Sequence, residues 1–290
     1  MLSLSYLWQD AALRFADLTS PKRGYQRISD IAYGVGPRRK LDLYKSESPR
    51  ENTPLVVFFY GGGWDSGKKA DYRFVAQAFT ALGCDVAIPD YRLYPDVHFP
   101  QFVEDGAKAV AFLASGKADG LRRPVFLAGH SAGAQIAFLL TLDRRYLAKA
   151  GSAVETAVQG AIGLAGPYDF LPLEEERYKR VFPLETRAAS QPIAFVEGPT
   201  PPVFLATGTA DRTVDPANSE RLARKLRSFG NENVTHVVYP KIGHAELIGT
   251  LLPLLQRRAP LLADLGGFIT AYSQPPRPSE EPIREVVPAT

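Results

Sequence analysis

Pro124-Val125-Phe126-Leu127-Ala128-Gly129-His130-Ser131-Ala132-Gly133, "PVFLAGHSAG", runs straight into AQIAFLL. The apolar run before Gly129 reads as a buried strand over Pro124–Ala128, and the one after Gly133 as a helix over Ala132–Leu142. Between them stands G-x-S-x-G, the spacing of a tight strand-to-helix turn. Gly129 and Gly133 give the backbone room for a serine in a strained conformation, whose hydroxyl then projects above the sheet. A serine in this position can also merely cap a helix. Its placement after an apolar strand and before an apolar helix favours a nucleophile.

Outward from this turn, strand-like runs recur at Ile28–Tyr33, Leu41–Lys45, Leu55–Tyr60, Asp85–Pro89, Val158–Leu164, Val203–Thr207 and Thr235–Tyr239. The middle ones are apolar throughout (LVVFF, VFLAG, VFLAT), as strands covered on both faces of a mostly parallel sheet must be. Helical patterns alternate with them at Tyr72–Leu82, Phe102–Ala114, Ala217–Phe229 and Leu261–Ile269. This alternation predicts an α/β fold, a mostly parallel eight-stranded sheet flanked by helices, in one domain over 1–290. Two segments break the rhythm. Residues from about 167 to 202 are too long for a simple loop and too irregular for one element, and read as a small cap insertion. The tail over 273–290 is rich in proline and charge and reads as extended chain. The first 25 residues carry Leu4, Leu7, Trp8, Ala11, Phe15 and Leu18 at helical spacing, which predicts an N-terminal helical segment.

Composition excludes several function classes. Of 290 residues, 45% are apolar and 22% charged, and the formal charge is 34 − 31 = +3. The basic residues come in twos and threes (Arg38-Arg39-Lys40, Arg144-Arg145), a solvated surface with no nucleic-acid or anionic-membrane signature. No apolar stretch is long enough to span a bilayer. The opening MLSLSYLWQDAALRFADL lacks the basic region and unbroken apolar core of a signal peptide, so a cytoplasmic protein is expected. The one cysteine, Cys84, has no partner for an intrachain disulfide and reads as a small buried hydrophobe.

A serine needs a base, and the chain has four histidines. His130 sits in the turn itself, where its side chain is expected to point away from the nucleophile. His236 lies in a strand, and His98 precedes a helix. His244, in YPKIGHAEL, stands on the loop after the last strand, at the sheet edge where such loops carry chemistry. The base in turn needs a carboxylate to hold its tautomer and stabilise the imidazolium. Asp211, in GTADRTVDP, follows the strand VFLATG and is favoured. Asp215 competes, although its place before Pro216 suits a helix N-cap. Asp169 is a third candidate.

The glycines of Phe58-Phe59-Tyr60-Gly61-Gly62-Gly63-Trp64-Asp65-Ser66-Gly67-Lys68-Lys69 call for a different ligand from phosphate. Gly62, Gly67 and Lys68 fit G-x-x-x-x-G-K, but Lys69 stands where Ser or Thr should hold Mg²⁺. The dinucleotide fingerprint fails as well, because Gly61-x-Gly63 leads to Ser66. The order Ser131…Asp211…His244 is that of the α/β-hydrolase fold, whose oxyanion hole uses the amide after the nucleophile, here Ala132, and one from the loop after the third strand. That loop is the triple glycine, where the lack of Cβ lets backbone N–H groups approach a substrate oxygen.

Taken together, "LDLY", "FFYGGGWDSG", "DYRLYPDVHFP", "GHSAGAQ", "GPYDF", "GTADRTV" and "GHAEL", in order from Ile31 to about Ile269, resemble α/β-hydrolase esterases of the hormone-sensitive-lipase and feruloyl-esterase-like groups. The resemblance implies Ser131 as nucleophile, Asp211 as acid, His244 as base, and Gly62, Gly63 and Ala132 as oxyanion donors. It departs from the family at Tyr60, where the H-G-G-G motif opens with histidine; a phenol can brace the loop in its stead by hydrogen bonding. The implied reaction is hydrolysis of a small-molecule carboxylic ester through an acyl-enzyme. Trp64, Tyr168 and Phe170 are candidate pocket walls. No cofactor or metal is called for, since there is no HExxH and the histidines lack ligand spacing. Two other readings stand beside it: an arylformamidase-like amidase, and a catalytically silent binding protein of the same fold.

Overall fold

The computed structural model describes residues 23–50, 52–150 and 156–273. The helix expected near the N-terminus falls largely on residues 1–22 and the proline-rich tail on 274–290, outside the described residues. Strands β1 (Tyr25–Ala32), β2 (Lys40–Ser46), β3 (Leu55–Phe59), β4 (Asp85–Pro89), β5 (Val125–His130), β6 (Val158–Leu164), β7 (Val203–Gly208) and β8 (Val234–Tyr239) form one sheet in the order β1-β2-β4-β3-β5-β6-β7-β8. From β4 to β8 neighbours are parallel, whereas β2 runs antiparallel to both β1 and β4. β3, β4, β5 and β7 are buried at every position, which is why their sequences are apolar without alternation apart from Asp85, His130 and Thr207. β1 is mostly exposed, and its polar YQRISDIA suits an edge strand.

Helices α1 (Arg73–Ala81), α2 (Gln101–Ala114), α3 (Ala132–Leu142), α4 (Arg144–Ala150), α5 (Glu176–Val181), α6 (Leu184–Arg187), α7 (Ala217–Ser228), α8 (His244–Gly249) and α9 (Leu261–Tyr272) complete the fold. α3 is buried at all positions, so apart from Gln135 and Thr141 it is apolar all round instead of amphipathic. This is the eight-stranded, mostly parallel α/β sheet with flanking helices that the sequence predicts. The expected strands and long helices are present with displaced ends; β1, for example, begins at Tyr25 and not at Ile28.

Between β6 and β7 the chain forms α5, α6 and two short turns of 3-10 helix, Ala188–Ser190 and Pro192–Phe195. Helices of four to six residues do not hold themselves, and these are tied down by side chains. Asn218 accepts the amides of Tyr168 (3.0 Å) and Asp169 (2.9 Å), and Gln191 accepts that of Phe170 (2.6 Å). Lys225 Nζ donates to the Ile193 carbonyl at 2.8 Å. The loops that carry chemistry follow β3, β5, β7 and β8, all at the carboxyl edge of the parallel strands, the ligand-binding edge of open α/β sheets.

Candidate active site

The turn after β5 is built by close backbone approach. A Cβ on Gly133 would stand 2.0 Å from the Phe59 carbonyl oxygen, and one on Gly129 would stand 2.3 Å from that of Gly133. Only glycine lets α3 start this near β3. Ser131 is held between them at φ 55°, ψ −124°, a conformation that persists in a non-glycine residue only when its surroundings force it. Its amide donates to the Leu164 carbonyl at 2.9 Å, which pins the turn to the end of β6.

The glycine loop lies directly over this turn. A Cβ on Gly61 would be 3.0 Å from Ser131 Cβ. Gly62 (φ 128°), Gly63 (φ 58°) and Trp64 (φ 62°) are all left-handed, and the Gly62 carbonyl accepts the Ser66 amide (3.0 Å) and hydroxyl (2.8 Å). The amides of Gly62, Gly63 and Ala132 make no hydrogen bond to an acceptor among the described residues. Tyr60 braces the loop from below. Its ring stacks between those of Tyr72 (5.4 Å) and Tyr91 (4.7 Å). Its hydroxyl donates to Asp90 at 2.8 Å and accepts from Arg38 at 2.7 Å. Burial first, and Asp90 next, raise its pKa well above the ordinary value, so the phenol stays a donor. Arg38 also reaches the Gly67 carbonyl (2.8 Å), and the Tyr91 hydroxyl reaches that of Tyr60 (2.7 Å). The loop is thus anchored at both ends without the histidine that its motif lacks.

His244 opens α8 and is buried, with Nδ1 2.7 Å from Asp211 Oδ2. The other Asp211 oxygen accepts the amides of Thr213 and Val214, both at 2.9 Å. Burial alone would raise the Asp211 pKa; the His244 contact and these amides outweigh it and lower it below the usual carboxylate range. An ionised Asp211 therefore holds the Nδ1–H tautomer of His244 and leaves Nε2 as the basic nitrogen. The competing carboxylates are engaged elsewhere. Asp215 accepts the Ala217 amide at the start of α7 (3.0 Å), and Asp169 pairs with Arg221 (2.6 Å). The other histidines do not replace His244: His98 is exposed beside Tyr94, and His236 lies half-buried in β8. Cys84 is fully buried, which pushes its thiol up to about 12 and leaves it unreactive.

A family model described as BD-FAE matches residues 41–226, a span holding the glycine loop, the serine turn and Asp211. The chain belongs to the BD-FAE family. It is 28% identical over 255 residues to Esterase LipQ of Mycobacterium tuberculosis, covering 80% of this chain and 61% of that protein. It is 30% identical over 160 residues to a probable isoprenylcysteine alpha-carbonyl methylesterase of Oryza sativa subsp. japonica, covering 53% of this chain and 39% of that one. The chain thus spans between 39% and 61% of the length of these two curated relatives. Among solved structures, Esterase B from Lactobacillus Rhamnosis superposes with a TM-score of 0.77 at 19% identity, covering 93% of each chain, and a truncated carbohydrate esterase from gut microbiota with 0.74 at 17% identity, covering 88% of this chain and 99% of that one. The fold is the α/β-hydrolase fold.

The aromatic residues singled out from the BD-FAE sequence divide. Phe170 is half-buried, and its ring stacks on Trp64 at 5.9 Å. Trp64 is nearly buried in a cage with Tyr178 and Phe182 and donates its Nε1–H to Gln135 at 3.0 Å. Tyr168 is no pocket wall. Its ring is fully buried against Phe138, in space left by Gly163 and Gly166, where any Cβ would strike its hydroxyl. Sequence reasoning passed over Gln135, whose Nε2 donates to the Ser190 carbonyl at 2.8 Å and so links α3 to the 167–202 segment. One amide in AGAQIAFLLTL, apolar but for it and Thr141, was the available signal. It also passed over a bidentate ion pair between Asp65, beside the glycine loop, and Arg177 of α5. Among the described residues, no His, Cys, Asp and Glu gather as a metal site, and no helix is long and apolar enough to cross a membrane.

Proposed function

We propose that this chain is a serine hydrolase that cleaves small carboxylic esters through an acyl-enzyme on Ser131. One observation carries the reading: a serine forced into a strained strand-to-helix turn under a glycine loop, one residue from His130, whose ring lies 4.8 Å from that of His244 in the Asp211–His244 pair. His244 Nε2 takes the proton as Ser131 Oγ attacks the ester carbonyl. Negative charge gathers on the carbonyl oxygen, facing the amides of Gly62, Gly63 and Ala132, each worth about 3–4 kcal/mol at the transition state. His244 then protonates the departing alcohol, Asp211 stabilising the imidazolium in the interval. Water, activated by the same base, releases the acid. The 167–202 segment serves as the cap, with Trp64 and Phe170 on its inner side. The relatives' names, esterase and methylesterase, favour an ester over an amide, and the intact Ser–His–Asp set favours catalysis over a silent fold.

Turnover of p-nitrophenyl butyrate by the native enzyme and by Ser131→Ala tests the reading. The expected result is loss of hydrolysis, and of labelling by a fluorophosphonate, with an unchanged melting transition. Hydrolysis retained by the variant overturns it.

A further inference from the structure

His130 closes β5 one residue before Ser131 and has no role in the chemistry just described. Its side chain does not turn away from the site. The ring lies 4.8 Å from the His244 ring, and Nε2 is 3.2 Å from the His244 carbonyl oxygen. A carbonyl oxygen only accepts, so Nε2 carries the proton and Nδ1 keeps a bare lone pair. Nδ1 is buried with no hydrogen-bond partner among the described residues, and it faces the glycine loop, where a Cβ on Gly61 would be 3.1 Å away. The opposite tautomer would bury an unpaired N–H there and set two lone pairs against each other at the His244 carbonyl.

We propose that His130 is a positioning residue for the base: its Nε2–H ties the His244 backbone to the end of β5, so that one strand sets the separation between Ser131 and His244. The proposal rests on the ester-hydrolysis reading above. His244 needs such a tie, because α8 is six residues long and begins directly at His244, and so short a helix does not fix its own first residue. The tie must also tolerate the imidazolium that His244 becomes in each turnover. Burial foremost, and then the neighbouring His244, push the His130 pKa down to about 3, against the opposing pull of the His244 carbonyl and Asp211. His130 therefore puts no second positive charge beside the base in the working range. Position 61 has no room for a side chain in this packing, since the His130 ring and Ser131 both crowd it.

Steady-state kinetics on p-nitrophenyl butyrate for native enzyme, His130→Gln and His130→Leu test the tie, together with ¹⁵N NMR of histidine-labelled native protein. Glutamine offers an N–H where Nε2 stands; leucine offers none. His130→Leu is expected to lose about 10- to 100-fold in kcat with KM unchanged, the scale of a misplaced catalytic group, while His130→Gln stays within about threefold of native on the same scale. Should the leucine variant not fold, His130→Asn, whose amide is too short to reach the His244 carbonyl, serves as the variant without the tie. The NMR spectrum is expected to show the Nε2–H tautomer for His130. Equal losses in the glutamine and donor-less variants, a loss confined to KM, or a proton on Nδ1 would each overturn the proposal. A native enzyme that turns over no ester would instead sink the parent reading, and the tautomer would still decide the hydrogen bond.

Discussion

Ser131 is recognisable less by its own identity than by what its neighbours lack. A methyl group on Gly133 would stand 2.0 Å from the Phe59 carbonyl oxygen, and backbone on both sides leaves it nowhere to go. Gly133→Ala is therefore expected to cost more than about 4 kcal/mol, the range of exceptional single substitutions. In urea unfolding it should appear as gross loss of soluble, cooperatively folding protein. The same substitution at a helix position with space would be mildly favourable, so a near-native midpoint would contradict this crowding. Asp211 is a finer case. Asparagine at 211 keeps an acceptor for the Thr213 and Val214 amides but places an N–H₂ opposite His244 Nδ1, which inverts the imidazole tautomer. Asp211→Asn is expected to lower kcat by about 10³- to 10⁴-fold at pH 7 with little change in melting temperature. That Asp215 caps a helix, leaving Asp211 to meet His244, was legible in the sequence because Pro216 marks a helix start. The burial of Tyr168 was not, since a tyrosine beside a loop motif carries no mark of the glycines, Gly163 and Gly166, that make room for it.

At the scale of elements, legibility followed length. β3, β5 and β7 declare themselves because burial on both faces demands an unbroken apolar run, and α3 because, apart from Gln135 and Thr141, it is apolar all round. α5 and α6 do not, since helices of six and four residues take their shape from what they pack against. What α5 packs against is the glycine loop. Arg177 grips Asp65 with both nitrogens, and Trp64 lodges between Phe170, Tyr178 and Phe182. Gln135 ties the same tryptophan to the Ser190 carbonyl through α3. The segment over 167–202 and the glycine loop are thus joined by an ion pair, an aromatic cage and a shared hydrogen-bond bridge. The Asp65–Arg177 pair is partly exposed, so its coupling is discounted for solvent to about 1 kcal/mol. A double-mutant cycle with Asp65→Asn and Arg177→Met, read by urea unfolding, is expected to return that value. Hydrogen exchange in 176–190 should quicken in both single variants. A coupling indistinguishable from zero, with exchange unchanged, would mean that the aromatic cage and the Gln135, Gln191, Asn218 and Lys225 hydrogen bonds hold the segment without the ion pair.

The whole molecule registers these buried groups through the pH dependence of its stability. His130 takes a proton near pH 6.5 in the unfolded chain but not until about 3 when folded. Between those values the unfolded state binds one proton more than the native state, so stability falls as pH falls, by up to about 1.4 kcal/mol per pH unit. The contribution is intact above 6.5 and fully lost once pH has passed through the folded value. Asp211 acts in a separate window. Its folded pKa lies below the ordinary 3.8, so the stability it adds is present above that value and is lost only as pH drops through the still lower native one. His236, depressed mainly by burial, adds a slope in the His130 window, but that slope is common to any variant at 130. The difference between native protein and His130→Gln therefore isolates a single imidazole. Urea midpoints taken from pH 8 down to 4.5 are expected to fall more steeply for the native protein than for the glutamine variant, with the divergence beginning near pH 6.5 and absent above it. Parallel curves would show that the native state accepts a proton on residue 130 as readily as the unfolded chain. Such a ring would keep its Nε2–H on the His244 carbonyl but set a second positive charge 4.8 Å from the His244 ring.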